Sequence, residues 1–133
     1  MGALIDSSVL IDIERGLFDL DRLPGEAADL DIAISAVTAS ELLHGVHRAS
    51  KGRIRSRREA FVERLLEAWP VLPFDLIAAR IHARLWAELA VKGVSIGAYD
   101  LMIGATAISN GLQLITRDKR SFPKIPGLQV VLW

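Results

Sequence analysis

Short, unbroken apolar runs alternate with longer segments of helical period along this chain. Ala3-Leu4-Ile5, Ile32-Ala33-Ile34 and Leu114-Ile115 carry no polar position, the signature of strands covered on both faces. Val71 to Phe74 predicts a short edge strand, because Pro73 cannot donate to a ladder, and Leu128 to Leu132 predicts a last one. Between them the periodicity predicts a helix from about Ser8 to Arg15 with a turn at Gly16, and others from Thr38 to about Ser50 and from about Ile54 to Trp69. Two more run from Asp75 to about Val91, closed by Gly93, and from Ala98 to Asn110, stopped by Gly111. Thr38 reads as an N-cap, with Glu41 at capping-box spacing. Ile77, Ile81, Leu85 and Leu89 recur at i, i+4 and predict the apolar stripe of the fourth helix. No internal repeat or linker divides the chain. Strands alternating with helices imply one α/β domain, a three-layer α/β/α sandwich with a mainly parallel central sheet.

Composition narrows the chemistry. The 133 residues have the length of one domain, and 51% hydrophobic with 24% charged residues excludes a disordered chain. The absence of cysteine excludes a disulfide scaffold, a thiolate zinc site and a cysteine nucleophile. Ser7 and Ser8 lack the glycine elbow of a serine hydrolase. No stretch approaches the ~20 apolar residues of a membrane span. Met1 to Ile13 has no basic leader and is interrupted by Asp6 and Asp12, so the expected location is the cytoplasm. A mean hydropathy of +0.32 is generous for so small a domain. Val9, Ile13, Leu17 and Phe18 either form an apolar docking surface or complete the core.

The net charge is zero, but its distribution is uneven. Residues 1–31 hold eight acids against Arg15 and Arg22, and no acid lies between Glu41 and Glu59. That gap contains Arg48, Lys51, Arg53, Arg55, Arg57 and Arg58, a stretch that suits either a phosphate backbone or a solvated helix entrance.

Ligand sites in parallel α/β sheets lie beyond the carboxyl ends of the strands. Asp6 directly follows the first predicted strand, and Thr116 and Asp118 follow Leu114-Ile115. Glu41 and Asp100 fall in the first turns of helices that begin at the same edge. Each acid alone has an ordinary role: Glu41 in a capping box, Asp100 on a helix dipole, Asp6 and Asp118 as caps. Together they raise an electrostatic problem. Two like charges ~4 Å apart repel by ~4 kcal/mol at an effective dielectric near 20. Either some are protonated or a cation neutralises them. All-oxygen donors favour a hard ion, Mg²⁺ or Mn²⁺, whose retained waters are the reactive species in phosphate-ester hydrolysis. Glu41 and His44 also form half of a di-iron bundle pattern, with no second copy. Trp69, Trp86 and Trp133 offer rings either for packing or for stacking on RNA bases.

Leu4-Ile5-Asp6-Ser7-Ser8, Ser40-Glu41-Leu42 with Gly45, Asp100 to Ala107, and Thr116-Arg117-Asp118 with Phe122 resemble, in order, the four signatures of PIN-domain ribonucleases. At this length the chain is most similar to the VapC toxins of type II VapBC toxin–antitoxin pairs. The resemblance implies a PIN-like fold and a Mg²⁺- or Mn²⁺-dependent endoribonuclease that cuts structured RNA, such as tRNA or rRNA, and stops translation. It also implies a cognate VapB-like antitoxin and a homodimer. Carried over by position, Asp6, Asp100 and Asp118 would ligate metal. Glu41 would bind it directly or through water, and Thr116 and Ser7 would position waters or ligands. From their charge rather than from the resemblance, Arg48 to Arg58, with Arg117 and Lys119 beside the pocket, could hold the flanking RNA backbone. A phosphotransfer receiver is disfavoured by the lack of an acidic pair on the first strand and of a lysine after the last. A haloacid-type phosphatase is disfavoured by Asp6-Ser7-Ser8 where Asp-x-Asp is needed. A non-toxin PIN-fold nuclease and a non-catalytic metal-binding module are the remaining alternatives.

Overall fold

The computed structural model describes residues 2–17 and 31–133. Five parallel strands form one sheet: β1 (Gly2–Ile5), β2 (Asp31–Ser35), β3 (Val71–Leu72), β4 (Gln113–Thr116) and β5 (Val130–Leu132). Their order is β3-β2-β1-β4-β5. The chain therefore steps outward from β1 to β3, then returns to the other side of β1 for β4. Right-handed crossovers in opposite directions place their helices on opposite faces. Packing agrees. One core joins Ala3, Ile5, Ile34 and Ile115 to residues of α1 (Ser7–Glu14), α2 (Ala36–Arg48) and α3 (Arg53–Ala68). The other joins Leu4, Ala33 and Leu114 to α4 (Leu76–Val91) and α5 (Ala98–Ser109). Alternate residues of β1 thus enter alternate layers, and all three apolar ones are fully buried. No helix among the described residues is long and apolar enough to cross a membrane.

Several sequence expectations need correction. Ser35, not Thr38, caps α2: its hydroxyl accepts from the Thr38 amide at 2.9 Å. Glu41 consequently lies in the second turn and belongs to no capping box. Ile77 is 63% exposed, and Ala78 takes its place on the buried stripe with Leu85 and Leu89. At 3.6 residues per turn an i+4 repeat drifts by about 40° per step, which carries its first member off the core face. Of the two readings open for Val9 and Ile13, the structure selects the core. Leu17 is exposed, and Phe18 lies outside the described residues. The edge strand is only Val71–Leu72, ending before Pro73. Gly127, at φ +80°, delays β5 to Val130.

Between β4 and β5 the chain forms an unanticipated 3-10 helix, Phe122–Lys124, whose Phe122 is buried against α5. The contact is close because residue 104 has no side chain: a Cβ there would meet Ile125 Cδ1 at 2.7 Å and Leu128 Cδ2 at 3.5 Å. Gly104→Val should therefore push this segment off α5 and destabilise the protein by about 1–3 kcal/mol. Urea unfolding measures this, and an unchanged midpoint would refute the close-packing argument.

Candidate active site

The sheet order places the carboxyl ends of β1 and β4 side by side at the switch in winding direction, where α/β folds open a crevice. Asp6 stands at the end of β1, and its amide donates to the Ile115 carbonyl of β4 at 3.0 Å. It is also the N-cap of α1, so its capping role is real as well. The buried carboxylate accepts through Oδ2 from Ser8 Oγ at 2.7 Å, from Thr116 Oγ1 at 2.9 Å and from the Ser8 amide at 3.4 Å. Thr116 Oγ1 in turn accepts from the Asp118 amide at 3.0 Å, and Ser8 Oγ from the Arg117 amide at 3.1 Å. Two hydroxyls thus tie Asp6 to the loop that carries Asp118. The participating serine is Ser8, one position beyond the Ser7 expected from the resemblance.

Asp118 Oδ1 accepts from the amides of Arg120 at 2.7 Å and Ser121 at 3.2 Å, an Asx-type turn. Slight burial pushes its pKa up, but those amides, the Ser121 hydroxyl and the Arg120 charge outweigh it and hold the carboxyl below its ordinary value. Asp100, in the first turn of α5 as expected, is shifted the other way. Desolvation raises its pKa, as do the charges of Asp6 and Asp118, and the Ser121 hydroxyl partly offsets them. Glu41 is displaced furthest, from 4.5 to about 7, first by desolvation and then by the charges of Asp6 and Asp100. Asp100 is therefore the hub, coupled to each of the other three acids.

The four carboxylates expected to meet do share one electrostatic environment. Their oxygens do not yet close on one point: among the described residues no three acid or histidine side chains are grouped as a metal cage. Glu41 Oε1 is buried and has no hydrogen-bond partner. With Ser35 serving the helix cap, nothing local explains that atom. Such an orphan calls for a proton, a water or a cation. An all-oxygen set of this kind fits a hard divalent ion that keeps several waters and touches only some of the carboxylates directly.

The cationic candidates are less uniform. Arg48, Lys51, Arg53 and Arg57 are exposed around the α2–α3 junction, and Lys119 is exposed beside Asp118. Arg58 instead pairs with Glu14 at 3.1 Å and donates to the Gly45 carbonyl at 3.4 Å, lining a groove that also includes Glu41. Arg55 approaches His47 Nδ1 at 3.4 Å. Arg117 pairs with Asp12 on α1 at 2.7 Å. Trp69 and Trp133 pack against the core, and only Trp86 is largely exposed. Sequence reasoning passed over Ser121. Its signal was the Asp118-x-x-Ser121 spacing, which suits an Asx turn but does not reveal the approach to Asp100.

Residues 3–128 match the PIN domain family. The chain is 34% identical to ribonuclease VapC1 of Rickettsia felis, over 98% of this chain and 96% of that protein. It is 38% identical to the tRNA(fMet)-specific endonuclease VapC of Salmonella typhimurium, over 77% of this chain and 75% of that protein. The fold superimposes on a chain of the crystal structure of DNA-bound VapBC from Salmonella typhimurium with a TM-score of 0.81. That match has 31% identity and covers 100% of this chain and 98% of the other. The chain belongs to the PIN domain family, within its VapC group.

Proposed function

We propose that this chain is the toxin of a type II toxin–antitoxin pair, an endoribonuclease that hydrolyses phosphodiester bonds in RNA. Its cofactor in this reading is Mg²⁺ or Mn²⁺, held by Asp6, Asp100 and Asp118, with Glu41 bound directly or through water. The observation that carries the reading is the buried, unpartnered Oε1 of Glu41, whose pKa burial and the charges of Asp6 and Asp100 raise, at the switch point of a PIN fold. The similar proteins named ribonuclease VapC and tRNA(fMet)-specific endonuclease VapC support an RNA substrate, with tRNA the first class to try. The VapBC complex supports a VapB-type antitoxin as partner.

A bound divalent ion supplies Lewis acidity and lowers the pKa of water. The protein contributes fixed charge and proton handling. Ser8 and Thr116 hold Asp6 in one orientation by donating to the same oxygen. The Arg120 and Ser121 amides fix Asp118 as an anion. Glu41, whose pKa is about 7 in the metal-free protein, would be drawn to its carboxylate form by a bound cation and could then orient the attacking water. Exposed Lys119 and the cations around the α2–α3 junction offset the repulsion between an acidic site and the RNA backbone.

Incubating the protein with labelled tRNA and bulk RNA tests the assignment. Cleavage is expected with Mg²⁺ or Mn²⁺ and should stop on addition of EDTA. Cleavage that survives chelation, or none under any of these conditions, would overturn it.

A further inference from the structure

A cleft of about 540 Å³ opens between α2 and α5, with Glu41 in its lining. Ala36, Val37 and Met102 supply apolar walls, and Ser40, His44 and Tyr99 bring polar groups. We propose that this cleft is a base-binding subsite, taking one unstacked RNA base beside the scissile phosphate, with the Tyr99 ring as its stacking platform. The inference rests on the ribonuclease reading and adds where the substrate is recognised.

Three features point to a base. First, Tyr99 is 63% exposed although it lies in the first turn of α5, immediately before the hub acid Asp100. A large ring left in solvent beside a reaction centre offers a π face, and proteins that read single-stranded RNA splay bases onto such faces. Second, no lysine or arginine lines the cleft. That lining offers no cation to a second phosphate but accommodates a neutral heterocycle. Third, Ser40 and His44 are exposed on α2 and flank Glu41 by one position and by one turn. Their hydroxyl and imidazole groups supply the donors and acceptors that an unpaired base edge requires. Mostly apolar walls with a few polar groups are the usual make-up of a small-ligand pocket. His44, which the di-iron pattern left without a role, gains one here.

The test uses a short RNA that the protein cuts, in versions with an abasic residue at each position flanking the cleaved bond. For wild type, kcat/KM should fall roughly ten- to hundredfold at one of those positions, the measure of one stacked base. Tyr99→Ala should lose a similar factor on the intact RNA and lose nothing more on that abasic substrate. Tyr99→Phe, which keeps the ring, should stay close to wild type. Matching melting temperatures would show that the variants fold alike. Wild-type activity that ignores both Tyr99→Ala and every abasic position overturns the subsite alone. Independent, multiplying losses from the two changes overturn it as well. Unchanged RNA cleavage by Tyr99→Ala with lost inhibition by a VapB-type antitoxin would assign the cleft to a protein segment instead. Complete absence of RNA cleavage by wild type would remove the ribonuclease reading, and the subsite with it.

Discussion

Asp100→Asn should lower RNA cleavage by at least about a hundredfold while leaving the protein folded. Loss of a partner behind a metal ligand already costs ~10–100-fold, and a carboxylate facing the ion should cost no less. Asp100 is the acid for which the effect should be greatest. It responds to the charges of Asp6 and Asp118 and itself raises Glu41, so it links both ends of the site. The amide preserves the carboxylate's shape and removes its charge. Without metal, repulsion among the acids is relieved, so the variant should melt higher than wild type in EDTA. Added Mg²⁺ should raise its melting temperature less than it raises wild type's, because stabilisation by a ligand follows its affinity for the folded state. Activity within about tenfold of wild type, or an unchanged response to Mg²⁺, would remove Asp100 from the proposed metal site.

The second large effect concerns pH. Metal-free protein should lose stability as pH rises from about 4.5 to about 7, and Glu41→Gln should remove Glu41's part of that loss, leaving the part due to Asp100. In the unfolded chain Glu41 ionises near 4.5, whereas burial and the charges of Asp6 and Asp100 delay this to about 7 in the fold. Between those values the folded state retains a proton that the unfolded state has released, so stability falls with rising pH. Below the window both states are neutral and the group is without effect. Above it both are ionised and the loss is complete. The shift corresponds to roughly 2–3 kcal/mol once partial solvent screening is allowed for. Urea unfolding in EDTA across this range, for wild type and Glu41→Gln, isolates the term because the other acids are common to both. Parallel stability curves would show that Glu41 is not the buried, charge-crowded group described here.

Much of the architecture could be read from local pattern. Apolar runs at residues 3–5, 32–34 and 114–115 marked the central strands because a strand buried on both faces has no room for polar alternation. Asp6, Thr116 and Asp118 were placed at one edge simply by following those strands. Where the reading failed, two local interpretations competed and packing chose between them. Thr38 and Glu41 satisfied a capping-box spacing, but Ser35 had already closed the helix three residues earlier. Ile77 satisfied an i+4 repeat, but helical drift turned it to solvent. Val9 and Ile13 were candidates for a surface and proved to be core.

By itself the sequence determined the alternation of strands and helices, the oxygen-only chemistry of the four acidic motifs and the absence of thiol chemistry. Those properties reside in residue types and in spacings of a few positions. Tertiary structure alone decided that Ser8 and Thr116 share one oxygen of Asp6, that Ser121 reaches the Asp100–Asp118 pair, and that Glu41 keeps a buried atom unpartnered. Each depends on strand order, which brings together groups up to 110 positions apart. Hydrogen bonds and desolvation act over a few ångströms of space, and separation along the chain does not specify that distance until the sheet is assembled.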